Sequence, residues 1–139
     1  GRMIGLKPRQ GNGNGNGNAT PQRVHLVGAG GVHMSAIGQI LRARGHQVTG
    51  SDLAASGYTA RLVALGAEVF IGPHDGAHIG EAQLIVATAA AKPDNPELAP
   101  EKGRCVAHFN AVLLCQRVVH DHLAGRRVVS ACLKQPRPA

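Results

Sequence analysis

The stretch Val24-His25-Leu26-Val27-Gly28-Ala29-Gly30-Gly31-Val32-His33-Met34-Ser35 constrains the fold more than any other part of the chain. Its apolar start, Val24 to Val27, predicts a strand, and its glycines predict a tight turn. Beyond the turn, Met34, Ile37, Ile40 and Leu41 recur at helical spacing, and Gly45 supplies the stop. Gln47 to Ser51 then reads as a second strand. A strand, a crossover helix and a further strand make the unit from which parallel sheets are built.

Gly28 and Gly30 hold the first two places of the pattern G-x-G-x-x-G, where missing side chains permit the turn and the close approach of a pyrophosphate. A helix starting near Val32 would direct its free N–H groups and the positive end of its dipole at the phosphates. Asp52, just after the second strand, stands where a carboxylate reaches a ribose hydroxyl. The third glycine place is taken by His33. An imidazole there points outward, displaces the helix, or reaches into the site, where it would donate to a phosphate. A turn glycine in a parallel sheet needs no ligand, so the loop alone does not establish a nucleotide site.

The rest of the chain repeats the alternation. Further strands are expected at Ala67 to Ile71, Leu84 to Thr88 and Cys105 to Ala107, and a second helix carries Leu62 and Leu65 before Gly66. Gly72 to Gly76 reads as a turn. Pro93, Pro96 and Pro100 leave room for at most a short helix around Glu97 to Lys102, and Asn110 to Leu123 is the last helix. The fold class is therefore α/β, a Rossmann-like three-layer domain with a parallel sheet of about five strands. It is expected to occupy residues 23–124. Residues 1–22 contain the alternating segment Gly11 to Asn18, which has the composition of a flexible linker. Residues 125–139 include an apolar run, Arg127 to Cys132, that begins like another strand before the chain ends.

The formal charge of +7 raises the question of nucleic acid. Between Arg23 and Ala124 there are eight Lys/Arg and eight Asp/Glu residues, so the excess lies on the two tails. A neutral body whose aromatics are Tyr58, Phe70 and Phe109 lacks the basic stripe and stacking platform that nucleic acid requires. No run is long enough for a membrane helix and nothing directs export, so a cytoplasmic protein without nucleic-acid or membrane partners is expected. Cys105, Cys115 and Cys132 lack metal or redox spacing and read as small apolar residues. His74 with His78, and His120 with His122, invite a metal reading, but no Cys or carboxylate motif completes a zinc site. Solvated or locally hydrogen-bonded histidines, and no metal, are expected. His120-Asp121-His122 lacks a partner nucleophile, so no catalytic residue is assigned.

Several ordered segments carry a resemblance. The run His25 to Ser35, then Gly50-Ser51-Asp52-Leu53, Thr59-Ala60-Arg61-Leu62, Leu65-Gly66-Ala67-Glu68-Val69 and Asp94-Asn95-Pro96-Glu97 resemble the amino-terminal domain of the Mur ligases, in particular the UDP-N-acetylmuramate:L-alanine ligases of peptidoglycan synthesis. The resemblance covers roughly Arg23 to Cys132. It implies a UDP-sugar site in place of a redox cofactor site. Carried over by position, Gly28, Ala29, Gly30, Gly31, Val32, Met34 and Ser35 would line the diphosphate, with His33 beside them. Ser51 and Asp52 would face the nucleoside, and Thr88, Ala89 and Ala90 would flank the same crevice. Ala107 to Ala111 departs from the family, which has a basic and acidic pair there, so those contacts do not transfer.

The family binds ATP and Mg²⁺ on a phosphate loop that follows the next strand, and takes its amino acid on a further domain. Here Leu133-Lys134-Gln135 stands where that loop would begin, and the chain contains no G-x-x-x-x-G-K-[ST]. The chain is thus expected to bind a UDP-sugar without turning it over and without a cofactor of its own, the missing ATP-binding domain being supplied in cis or in trans. Two rivals remain at this point: an NAD-binding regulatory or dehydrogenase domain, since Asp52 suits an adenosine ribose equally, and a structural module whose crevice His33 obstructs.

Overall fold

The computed structural model describes residues 22–88, 91–92, 94–98 and 105–127. Five strands, β1 (Arg23–Val27), β2 (Gln47–Asp52), β3 (Glu68–Ile71), β4 (Leu84–Thr88) and β5 (Cys105–Phe109), form one sheet in the order β3-β2-β1-β4-β5. Every pairing is parallel, and Leu26 at the centre lies between Gly50 and Val86. Three α-helices, α1 (Val32–Ala43), α2 (Gly57–Ala64) and α3 (Ala111–Leu123), and two short 3₁₀ helices, Gly76–Ile79 and Pro96–Leu98, make the connections. This is the α/β architecture expected, with element ends moved by one or two residues. Ala67 falls outside β3 because its N–H bonds to Leu62 O to close the end of α2. β5 runs on to Phe109 because that residue still pairs with Thr88. The Gly11 to Asn18 segment, Lys102 and the run from Val128 to Cys132 lie outside the described residues.

Strand alternation divides the core into two layers. Val24 and Leu26 face the α-helices, where they pack with Met34, Ile37, Leu41, Leu62, Leu84, Val86, Leu114 and Val118. Cys115 belongs to this layer, as expected of a small apolar residue. On the opposite face Val27 and Ile85 pack with Ile79 and Leu98 from the 3₁₀ segments and with Ala82 just before β4. The third layer is accordingly thin among the described residues, built of short 3₁₀ turns.

Helix α1 lies very close to the sheet. A Cβ on Gly38 would come within 2.8 Å of both Leu26 Cδ1 and Leu62 Cδ2, so only glycine fits without displacing buried methyls. Close helix–strand contact is the task of the third glycine in the G-x-G-x-x-G pattern. Gly38, one turn and a half further along, performs it here, which leaves His33 free of that constraint.

The helix starts differ from one another. Ser56 caps α2 with a capping box: its Oγ accepts from Tyr58 N and Thr59 N, while Ser56 N donates to Thr59 Oγ1. Asn110 caps α3, accepting from Val112 N and Leu113 N. α1 has Gly31 at its cap and no side chain bonded to its first turn.

Candidate functional site

The chain reverses its direction of travel across the sheet between β1 and β4, which opens a crevice at the carboxyl ends of those strands, the place where open parallel sheets bind ligands. The glycine loop follows β1 on one side of this crevice and Thr88, half-buried, ends β4 on the other. Ala89 and Ala90 lie outside the described residues.

The glycine loop is fixed by its own amides. Gly28 N and Ala29 N both donate to the Ser51 carbonyl at 2.8 Å, Gly30 N donates to Asp52 Oδ2 at 2.8 Å, and Gly31 N donates to Gly28 O. Gly28 adopts a φ of 84°, the left-handed conformation that favours glycine. A Cβ on Gly30 would sit 2.8 Å from Asp52 Oδ2 and 3.2 Å from Thr59 Cγ2. Four amides are therefore consumed in building the turn. The first amides open to a ligand are those of Val32, His33 and Met34, which a helix leaves without intrahelical acceptors and which no side chain caps. Gly31 and Val32 are exposed, so an anion has access to that end of α1.

The site residues named from sequence divide by this geometry. Gly28, Ala29, Gly30 and Gly31 shape the loop, and Val32 and His33 stand at its rim, His33 half-buried. Met34 and Ser35 point their side chains inward. Met34 is in the core, and Ser35 Oγ is buried and donates to Tyr58 O, tying α1 to α2. Only their backbones remain near the crevice. Asp52 holds Gly30 N, so its carboxylate organises the loop as well as bordering the crevice. The Ser51 side chain is fully buried and its hydroxyl faces away from the crevice, into a cluster that sequence reasoning did not anticipate.

At the centre of that cluster is Glu97, completely buried on the thin-layer face of the sheet. Its Oε1 accepts from Ser51 Oγ at 2.5 Å and from His25 Nε2 at 2.8 Å. Its Oε2 accepts from His74 Nδ1 at 3.1 Å, His78 Nδ1 at 2.9 Å and Asp75 N at 3.1 Å. Burial alone would raise the pKa of this carboxyl. The hydrogen bonds from Ser51, His25, His78 and the Asp75 amide outweigh it and pull the value down to about 2. His25 is pushed the other way by its burial, below the ordinary imidazole value against the pull of Glu97. A neutral His25 satisfies both its neighbours, donating from Nε2 to Glu97 and accepting at Nδ1 from Thr49 Oγ1, 2.7 Å away. Phe70 stacks on the His78 ring with centroids 4.4 Å apart.

His74 and His78, whose spacing invited a metal reading, thus both donate to one carboxylate. His120-Asp121-His122 is likewise occupied: Asp121, buried, pairs with Arg126, and His122 Nδ1 accepts from Arg44 Nε. The ATP and Mg²⁺ that the resemblance implies have no cradle among the described residues, and no chemical step is assigned to them.

A parallel α/β sheet with a glycine turn and an uncapped helix start at its switch point defines a Rossmann-like domain. Comparison with known proteins narrows the class. The pattern described as "Mur ligase family, catalytic domain" matches residues 23–122. The chain is 42% identical over 110 residues to the UDP-N-acetylmuramate--L-alanine ligase of Symbiobacterium thermophilum, covering 79% of this chain and 22% of that protein. To the ligase of the same name from Rubrobacter xylanophilus it is 45% identical over 84 residues, covering 60% and 19%. Among solved structures, the UDP-N-acetylmuramate-alanine ligase of Thermotoga maritima superposes with a TM-score of 0.61 at 29% identity, over 71% of this chain and 23% of that one. This chain belongs to the Mur ligase family, whose members named here are ligases. It spans about a fifth of the length of the relatives it matches. Among the described residues no helix is long and apolar enough to cross a membrane.

Proposed function

We propose that this chain is the UDP-N-acetylmuramate-binding domain of a peptidoglycan-synthesis ligase. The observation that carries the reading is the start of α1. It has three free amides, no capping side chain, and a glycine turn beside it whose own amides are already paired. The two other α-helices both carry a capping side chain at this position. An uncapped helix N-terminus beside an exposed glycine loop suits a diphosphate, because backbone N–H groups and the helix dipole both favour the anion. The relatives' names supply the sugar nucleotide. The UDP diphosphate would rest on Val32, His33 and Met34 N–H, with the nucleoside toward the end of β2 at Asp52 and Thr88 on the far side of the crevice. On this reading the domain holds and orients its nucleotide, and the ATP-dependent chemistry belongs to a further domain in cis or in trans.

Titration calorimetry with UDP-N-acetylmuramate, UDP and NAD, accompanied by thermal denaturation, tests the proposal. A ligand of the native state raises the melting temperature as it saturates the site. The reading requires UDP-N-acetylmuramate to bind more tightly than NAD. A preference for NAD would replace it with a dinucleotide domain.

A further inference from the structure

Glu97 is the most heavily bonded side chain among the described residues, yet it lies outside the crevice and the nucleotide reading gives it no part. A fully buried carboxylate with no lysine or arginine beside it is costly unless its oxygens are saturated with donors. Here five donors converge on it from β1 (His25), the end of β2 (Ser51) and the segment after β3 (His74, Asp75, His78). Its own backbone is held by Asn95, whose Oδ1 accepts from Glu97 N at 2.8 Å. The carboxylate is therefore a joint between four separate stretches of chain.

One of the five donors leads to the crevice. Ser51 is bonded at both ends: its hydroxyl to Glu97, and its carbonyl to Gly28 N and Ala29 N. The residue that fixes the first half of the glycine loop is thus itself fixed by Glu97. Its neighbour Asp52 fixes the second half through Gly30 N. Rotation or slippage at the end of β2 would move both anchors together.

We propose that Glu97 is a positioning residue for the glycine loop, acting through Ser51 to hold the Gly28 and Ala29 amides, and hence the start of α1, in the geometry that accepts a diphosphate. The inference rests on the nucleotide reading for its consequence and on the Ser51 link for its mechanism, and the two are separable by experiment.

The full chain would be compared with Glu97→Gln, Ser51→Ala and the double variant by amide hydrogen exchange and by calorimetric titration with UDP. Glutamine keeps the shape of the side chain and removes its charge. Each single variant is expected to speed exchange at Gly28 and Ala29 by roughly tenfold or more relative to Leu26 and Val86, as the loss of a charge-assisted hydrogen bond implies. UDP affinity should fall in parallel. Because the Ser51 hydroxyl acts on the loop only through Glu97, the double variant should exchange no faster at Gly28 and Ala29 than Glu97→Gln alone, the non-additivity expected of a shared interaction. Exchange at Gly28 and Ala29 that tracks Leu26 in Ser51→Ala would overturn the proposal, as would single effects that multiply in the double variant. Ser51→Ala decides the matter even where Glu97→Gln fails to fold. If the wild-type chain binds neither UDP nor UDP-N-acetylmuramate, the nucleotide reading falls and the exchange pattern still decides the role of Glu97.

Discussion

His46 makes the stability of this fold depend on pH in a way that can be worked out in advance. The side chain is 5% exposed, and its Nδ1 accepts a hydrogen bond from Gln22 N at 2.9 Å, a bond only an unprotonated nitrogen can accept. Burial, with a further contribution from the charge of Arg44, lowers its pKa from 6.5 to about 4. In the unfolded chain His46 takes up a proton as pH falls below 6.5, whereas in the fold it stays neutral until about 4. The depressed value therefore represents stability that is fully present above 6.5 and is lost progressively as pH falls to about 4. At about 1.4 kcal/mol per unit, the loss amounts to ~3 kcal/mol, a large share of what a domain of this size possesses. Urea unfolding of wild type and His46→Asn, at about pH 7.5 and about pH 4, isolates the contribution. Asparagine offers Gln22 N an acceptor that does not titrate, so the variant should lose ~3 kcal/mol less than wild type over the interval. His25 and Glu97 also lose stability toward acid, but they do so in both proteins. Equal losses, or an NMR titration placing His46 near its ordinary value, would refute the reasoning.

Other outcomes follow from single contacts. Gly30→Ala drives a methyl into the Asp52 carboxylate and against the buried Thr59 side chain, and should weaken UDP binding by roughly tenfold or more, which calorimetry reads. Ser56→Ala removes the capping box of α2 and should cost about 1 kcal/mol in urea unfolding. Leu62→Ala opens a cavity under α1 and α2, where Leu62 is fully buried, and should cost about 2–5 kcal/mol by the same assay, with the size set by how far Gly38 and Leu26 can close over the gap.

What could be read in the sequence was what short-range chemistry determines. The apolar run of β1, the helical spacing of Met34, Ile37 and Leu41 and the stop at Gly45 are local signals, and those elements stand where they put them within a residue or two, while Asn110, read as the first residue of α3, caps it instead. Asp52 was expected at a ribose hydroxyl, and its bond to Gly30 N was not foreseen, whereas Gly28 and Gly30 themselves were legible as a turn, as the φ of 84° at Gly28 bears out. The roles of Gly38 and Gly50 were not, because the atoms that exclude their side chains, on Leu26, Leu62 and Ala29, come from other elements. The Glu97 cluster was hidden for the same reason. Its partners lie 19 to 72 residues away, and nothing in Asp94-Asn95-Pro96-Glu97 announces that the glutamate will be buried beneath β1 and β2. Ser51 and Asp52 illustrate the intermediate case. The glycine pattern placed Asp52, and the family resemblance Ser51, beside the expected nucleotide, while the structure adds that both hold the loop in shape, through a carboxylate and a carbonyl respectively.

A backbone amide NMR titration with UDP-N-acetylmuramate tests most directly whether the start of α1 seats a UDP-sugar diphosphate. The largest shifts should fall on Val32, His33 and Met34, with smaller ones on Gly30 and Gly31, and should saturate with a single affinity. Saturating shifts confined to other parts of the fold, such as the amino ends of the strands around Arg23, Gln47 and Glu68, or no shift at α1 with the ligand in large excess, would contradict it.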